Sequence, residues 1–201
     1  MRLFVAIPLP DALLAPLTTD QPPLARIRWV PRDRVHLTLK FAGEVGNDRI
    51  DALVDALRDA CRDAESPSIG CAGAGFFGQR GRPRVVWAGV QPHPALLAVE
   101  QAVDIACAQI GIRRDGADYH PHITVARLAA GPAGAHRQKS ASNRAVRAGD
   151  AELIETVRRA VEWVASRDLP PAFIADRCVL YRSDLRPAGP VYTELASFGF
   201  G

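Results

Sequence analysis

Two short stretches that nearly repeat each other constrain the fold of this chain more than any other feature. They are His-Leu-Thr-Leu at His36 to Leu39 and His-Ile-Thr-Val at His122 to Val125. Successive side chains of a β-strand point to opposite faces, so the histidine and the threonine of each stretch share one face. The branched apolar residues take the other face. Each stretch is therefore predicted to be a strand with one polar face and one face in the core.

The recurrence of the pattern carries more information than either copy, because a single His-x-Thr is common in half-buried strands. Two copies suggest two similar half-domains that each contribute one imidazole and one hydroxyl to a shared site. Imidazole titrates near neutral pH, so one of His36 and His122 can act as a base while the other, protonated, acts as an acid. The hydroxyls of Thr38 and Thr124 would hold an anion between them.

Composition sets the size and class of the protein. The 201 residues, 48% of them hydrophobic and 23% charged, are enough for one compact domain or two small lobes packed together. The net charge of +3 permits a phosphate-bearing partner without requiring one. The four cysteines are scattered with no C-x-x-C pair, which argues against a zinc site and favours reduced, structural thiols. No stretch has the length of a membrane span or of a signal peptide's apolar core, so we expect a cytoplasmic protein with no membrane partner.

The order of the predicted elements favours an α+β architecture. Strands are predicted at 2–7, 27–30, 34–41, 68–77, 85–90, 121–128, 173–181 and 191–198, and helices at 11–17, 47–61, 94–111 and from 150. Asn47 or Asp48 is the expected N-cap of the second helix. Hairpins, with no G-x-G-x-x-G or P-loop signature, indicate antiparallel sheets whose outer faces are covered by helices. Trp87 is expected in the core, and so are the two consecutive aromatic residues Phe76 and Phe77.

A low-complexity stretch of Gly, Ala, Ser and basic residues is predicted to be a mobile basic loop at about 129–149. Two interpretations of this loop remain open. It is either a solvated surface loop or a flexible basic lid over the end of a nucleic acid.

The sequence around the two motifs resembles a known family along almost the whole chain. The similar segments are Trp29-Val30-Pro31, His36-Leu37-Thr38-Leu39-Lys40-Phe41, Arg82-Pro83-Arg84-Val85-Val86-Trp87, His120-Pro121-His122-Ile123-Thr124-Val125-Ala126-Arg127, Leu180-Tyr181-Arg182-Ser183 and Gly189-Pro190-Val191-Tyr192. The chain resembles the 2H phosphoesterase superfamily, and more closely its RNA 2',3'-cyclic phosphodiesterase branch, the bacterial 2'-5' RNA ligase family.

The resemblance implies one bilobal α+β domain over residues 1–201, with pseudo-two-fold symmetry and a central active-site cleft. It also implies hydrolysis of RNA 2',3'-cyclic phosphate ends to 2'-phosphates, with no metal and no cofactor. By position, His36 would be the general acid and His122 the general base. Thr38 and Thr124 would donate to the phosphate oxygens, Arg127 would bind substrate, and Phe41 would be a platform for the terminal base.

Phe41 and Arg127 present a problem of geometry, because each stands five residues after its histidine. This odd offset would aim both side chains away from the histidines on an ideal strand. Either the strands end or bulge before them, or the side chains reach over an edge. Core packing for Phe41 and a surface ion pair for Arg127 are the structural alternatives.

Other functions remain open. His120 shares the face of His122, so a metal could bind there, although no carboxylate or cysteine cluster nearby offers further ligands. The same site could act on another cyclic phosphate or join 2'-5' linkages reversibly. The basic stretches around 80–84 and 137–147 could instead belong to an RNA-binding module without turnover. We expect a monomer whose partners are RNA 3' ends or small cyclic-phosphate nucleotides.

Overall fold

Ten strands and four α-helices make up the part of the chain that the computed structural model describes. That part is residues 1–79, 82–114, 116, 118–129, 143–187 and 189–201, with the backbone alone at 79, 82 and 143–150. The elements are β1 (Arg2–Pro8), α1 (Asp11–Thr18), β2 (Ile27–Trp29), β3 (His36–Glu44), α2 (Ile50–Arg62), β4 (Ser68–Ile69), β5 (Cys71–Gln79), β6 (Arg82–Val90), α3 (Pro94–Gln109), β7 (His122–Leu128), α4 (Asn143–Ala165), β8 (Phe173–Ile174), β9 (Arg177–Arg186) and β10 (Gly189–Gly199).

Eight of the strands are connected in one antiparallel sheet, in the order β10-β9-β1-β3-β7-β6-β5, with β2 also paired to β7. The remaining two, β4 and β8, pair with each other. The two motif strands, β3 and β7, meet at the centre through one pair, Leu37 opposite Ile123. The predicted α+β class with antiparallel strands is confirmed, and its two predicted sheets are joined at this pair.

The central pair relates the two motifs to each other. Leu37 and Ile123 hold the same position in their motifs, directly after the histidine, and both are fully buried. Because β3 and β7 run antiparallel, a local two-fold axis passes between the two residues. The sequence repeat is thereby converted into a repeat in space.

Helices α2 and α3 pack against each other. One stripe of α2, Leu53, Leu57 and Cys61, is buried, as the helical period predicts. The predicted N-cap is wrong, because a 3₁₀ turn occupies Asn47–Arg49 and α2 begins only at Ile50. Asn47 and Asp48 therefore lie too far upstream to bond the first N–H groups of α2.

Helix α3 starts and stops where the sequence indicates. Pro94 occupies its first turn, and the Nδ1 atom of His93 accepts a hydrogen bond from the backbone N–H of Ala95 at 3.3 Å. Beyond its end, Gly111 adopts a φ of +78°, the left-handed conformation that glycine tolerates best.

Helix α4 begins earlier than the sequence suggests. Its backbone is helical from Asn143, so the prediction that the basic loop extends to residue 149 is wrong for 143–149. Residues 130–142 lie outside the described part of the chain. None of the helices in the described ranges is both long enough and apolar enough to cross a membrane.

A buried ionic cluster fastens β3 to α3. Lys40 is only 1% exposed, and its Nζ atom lies 2.7 Å from the carboxylate of Asp104 and 2.9 Å from the carbonyl oxygen of Arg113. The other carboxylate oxygen of Asp104 accepts a hydrogen bond from Arg114 at 2.7 Å. This cluster holds the strand that carries the first motif against the helix behind it.

Candidate active site

A β-bulge in β3 brings Phe41 to the side of the motif histidine. Against β1, the register shifts at Leu39, which has no partner between Thr38 and Lys40. Leu39 and Lys40 are both buried, so the alternation of faces restarts after them. Phe41 then returns to the face of His36 and is 59% exposed, which excludes core packing for it.

Strand β7 has the same bulge at the same distance from its histidine. Against β6, the register shifts at Val125, which has no partner between Thr124 and Ala126. Val125 and Ala126 are both buried, and Arg127 is exposed on the cleft side. In the described part of the chain Arg127 forms no ion pair. Of the explanations offered by the sequence for the odd offset, the bulge is the one observed in both strands.

The predicted site residues gather around the centre of the sheet. A cleft of about 620 Å³ is lined in part by His36, Thr38, Phe41, Thr124 and Arg127. His122 lines an adjoining depression together with Thr38 and Phe41. This agrees with the central register, which places His36 beside Thr124 and His122 beside Thr38.

The tautomer of His122 is set by the backbone. Its Nδ1 atom lies 2.8 Å from the carbonyl oxygen of His120, and a carbonyl can only accept a hydrogen bond. In the neutral ring the proton must therefore sit on Nδ1, which leaves Nε2 with a free lone pair. The ring of Phe77 packs edge-on against the imidazole at a centroid distance of 4.8 Å and holds its orientation. His122 is thus prepared to accept a proton at Nε2.

His36 is held in an aromatic environment. Its ring stacks on Phe4 at a centroid distance of 4.9 Å and meets Tyr192 edge-on at 5.4 Å. Phe4 in turn stacks on Tyr181 at 5.2 Å. Aromatic faces on this side exclude water from the imidazole, which weakens the solvation of its charged form.

The electrostatics of the two histidines follow from this burial. Desolvation is the main cause that lowers the pKa of His36 to about 4, against a hydrogen bond with the backbone of Arg34 that favours the charged ring. The positive charges of Arg127 and of His122 lower the pKa of His36 further. The pKa of His122 is also lowered, mainly by burial, and Arg127 again contributes. Arg127 lines the cleft together with His36, Thr38 and Thr124, so its positive charge would favour an anion there.

The wider cleft is electropositive. Its lining includes four arginines and, over the described residues, no aspartate or glutamate; the arginines are Arg28, Arg34, Arg127 and Arg186. Trp29 and Tyr192 add aromatic surface beside Phe41. Guanidinium groups bind phosphate oxygens through paired hydrogen bonds, and aromatic faces stack on bases.

Several residues around the site were not assigned to it from the sequence, among them Phe4, Tyr119 and Phe77. The hydroxyl of Tyr119 donates to the carbonyl oxygen of Thr38 at 2.8 Å and so fixes the backbone of the motif strand. The prediction that Phe76 and Phe77 both lie in the core is wrong, since they are 50% and 38% exposed. Neighbouring residues of one strand face opposite ways, and this rule could have shown that one of the two faces outward.

The residues that could hold a metal are few. Within the described ranges, no group of three or more His, Cys, Asp or Glu side chains converges. The His-x-His pair offers His120 and His122, but the Nδ1 atom of His122 is already engaged with the carbonyl of His120. At this pair the two Nε2 atoms and the Nδ1 atom of His120 are left as nitrogen donors, and Glu100 and Asp118 line the same depression.

The α+β fold with two His-x-Thr strands around an electropositive cleft is that of a phosphoesterase. Comparison with protein families agrees, because the sequence model of the 2'-5' RNA ligase superfamily matches residues 10–185. The chain belongs to this superfamily, and the resemblance to the 2H phosphoesterases stated from its sequence is confirmed.

Individual relatives support the same assignment. The RNA 2',3'-cyclic phosphodiesterase of Methanothermobacter thermautotrophicus is 30% identical, with 98% of each chain covered. That of Thermus thermophilus is also 30% identical and covers 98% of this chain and 89% of its own length. These relatives confirm the predicted enzyme class, a phosphodiesterase.

Solved structures share the fold. The crystal structure of TT0787 from Thermus thermophilus superposes with a TM-score of 0.74 at 25% identity, covering 100% of this chain and 98% of its own. Escherichia coli LigT, solved in complex with 3'-AMP, gives a TM-score of 0.69 at 23% identity, with 99% and 97% covered.

Proposed function

We propose that this protein hydrolyses 2',3'-cyclic phosphates at RNA 3' ends to 2'-phosphates, without a metal ion, with His36 as general acid and His122 as general base. The observation that carries the proposal is the matched pair of bulged strands. Their register places His36 beside Thr124 and His122 beside Thr38. His36, both threonines and Arg127 line one cleft, and His122 lines the depression that adjoins it at Thr38 and Phe41.

The proposed chemistry is a single in-line displacement at phosphorus. Nε2 of His122 takes a proton from a water molecule, and the water oxygen attacks the phosphorus. The bond from phosphorus to the 3'-oxygen breaks, and His36 gives its proton to that oxygen. A 2'-phosphomonoester and a 3'-hydroxyl result. Each imidazole would contribute about 10²- to 10⁴-fold to the rate.

Three groups would stabilise the negative charge on the reacting phosphate. The hydroxyls of Thr38 and Thr124 and the guanidinium of Arg127 line the same cleft and would donate to the non-bridging oxygens. Donors already in place lose little energy to reorganisation as negative charge builds up on these oxygens. The four arginines in the lining of the cleft would repel a metal ion, whereas the adjoining depression beside His122 is also lined by Glu100 and Asp118.

The protonation states need a proton on His36 and none on His122. The lowered pKa of His36 means that its ring is mostly neutral in the free protein at pH 7. A bound cyclic phosphate places negative charge beside both rings and raises their pKa values, which favours the charged His36. Substrate binding would thus help to load the general acid.

Two observations support the choice of RNA 2',3'-cyclic phosphate ends as the substrate. The relatives at 30% identity are named RNA 2',3'-cyclic phosphodiesterases. The cleft combines guanidinium groups with the exposed ring of Phe41, which would stack on a terminal base without selecting its identity.

The test uses an RNA oligonucleotide that ends in a 2',3'-cyclic phosphate, incubated with purified protein in EDTA. We expect a product with a 2'-phosphate, identified by mass and by comparison with synthetic 2'- and 3'-phosphate standards. His36→Ala and His122→Ala should each abolish turnover. His93→Asn is the matched control, since it removes a histidine outside the cleft and keeps a capping side chain on α3.

Full activity in either alanine variant would contradict the assignment of the two histidines. Turnover of another cyclic phosphate alone, or joining of 2'-5' linkages alone, would move the reaction to one of the enzymatic alternatives. Binding of RNA with no turnover, unaffected by either change, would favour the RNA-binding module.

A further inference from the structure

Two arginines stand directly opposite each other in the wall of the cleft. Arg28 of β2 is the cross-strand partner of Arg127 of β7, and both side chains line the cleft. Like charges placed opposite each other on neighbouring strands destabilise a sheet. The pairing therefore has a cost in the empty cleft that a bound anion would relieve.

The described part of the protein does not neutralise this pair. Neither Arg28 nor Arg127 forms an ion pair there, and the lining of the cleft over those residues contains no carboxylate. A third arginine, Arg186, lines the same cleft from the end of β9. The positive charge at this end exceeds what one phosphate would balance.

The charge of the substrate can be compared with that of the site. A terminal cyclic phosphate is a diester with one negative charge, and Arg127 together with the protonated His36 already balances it. Of the other three arginines in the lining, Arg34 lies 3.9 Å from the carboxylate of Asp33, and Arg28 and Arg186 remain for a second anion. In an RNA chain the nearest second anion is the phosphate on the 5' side of the terminal nucleoside.

We propose that Arg28, with Arg186, binds the 5'-phosphate of the terminal nucleoside, so that the enzyme prefers oligonucleotide or 5'-phosphorylated ends over an unphosphorylated cyclic nucleoside. This inference rests on the proposed function and adds the substrate class to it. Arg28 would not contact the reacting phosphate. It would bind the next phosphate along the RNA chain, on the 5' side of the terminal nucleoside.

The experiment compares kcat/KM for adenosine 2',3'-cyclic phosphate with that for the same compound bearing a 5'-phosphate. The two probes differ by one phosphate and by no base, so stacking does not enter the comparison. We expect the wild-type protein to prefer the 5'-phosphorylated probe by about 10-fold at low salt, and the preference to fall as salt is raised. A dinucleotide with a cyclic end should be preferred similarly or more.

The variants locate the effect. Arg28→Gln should remove most of the preference for the 5'-phosphorylated probe and leave the share that Arg186 contributes, while Arg28→Lys, which keeps the charge without the planar fork, should retain more of it. Arg177→Gln is the matched control: Arg177 is an exposed arginine at the other end of β9, paired with Asp176, and its change should leave the preference as in the wild type.

Equal kcat/KM for the two probes in the wild type would overturn the inference, even if both are hydrolysed and the proposed function stands. An equal loss on both probes in Arg28→Gln would also overturn it, because Arg28 would then act on the reacting phosphate. If the wild type hydrolyses neither probe nor the dinucleotide, the proposed function itself fails.

Discussion

The burial of His36 should make the stability of the protein depend on pH in a defined window. Burial lowers the pKa of His36 from 6.5 to about 4, so between these values the unfolded chain binds more protons than the folded protein. The free energy of unfolding therefore rises with pH through this window. The part of it that depends on neutral His36 is lost as the pH falls from 6.5 toward 4. The difference corresponds to about 3 kcal/mol, at about 1.4 kcal/mol per pH unit.

His36→Gln removes this titration and keeps a side chain of similar length. We expect the wild-type protein to lose about 3 kcal/mol more stability than the variant between pH 7 and pH 4. Urea denaturation followed by tryptophan fluorescence at pH 7, 6, 5 and 4 measures both slopes. His93→Asn serves as the control for the loss of a histidine outside the cleft. Parallel slopes for the wild type and His36→Gln would refute the reasoning that burial sets the pKa of His36.

Three further predictions follow from the site. The pH dependence of kcat/KM should be bell-shaped, with apparent pKa values that belong to the pair His36 and His122; a single ionisation would contradict their coupling. Asp104→Leu should destabilise the protein by about 3–5 kcal/mol in urea because it removes the carboxylate 2.7 Å from the buried Nζ atom of Lys40. Lys40→Met in the same chain should restore much of this loss, and an additive double variant would contradict the coupling of the two residues. Phe41→Ala should weaken binding of a cyclic-ended RNA by about 1–3 kcal/mol in a titration with the wild-type protein as reference, whereas Phe41→Trp should preserve binding; no change in Phe41→Ala would remove the stacking role.

The motif strands were predictable from the sequence because their information is local. A period of two over four residues fixes which face of His36 to Leu39 is polar, and nearby prolines and glycines mark where elements end. The α+β class follows from the same local signals. The helix stripe of α2 at Leu53, Leu57 and Cys61 is another case, since a 3.6-residue period alone identifies it.

Most of the features that the sequence did not resolve depend on which strands pair with each other. The odd offset of Arg127 was visible, but the choice between a bulge, a strand end and an edge required the register of β6 against β7. The opposition of Arg28 and Arg127 likewise requires knowing that β2 pairs with β7. The early start of α4 was missed because 143–149 combine glycine, alanine and arginine in a pattern that also suits a loop.

The equal bulges explain how a symmetric scaffold holds an asymmetric site. In each motif strand the bulge buries two consecutive residues, the third and fourth after the histidine, and so turns the fifth toward the cleft. That fifth residue is Phe41 in one copy and Arg127 in the other. The side of the cleft near Phe41 would accept a base, and the side near Arg127 would accept a phosphate. A substrate with both groups can therefore bind in one direction only, which would fix which histidine faces the leaving oxygen and which faces water.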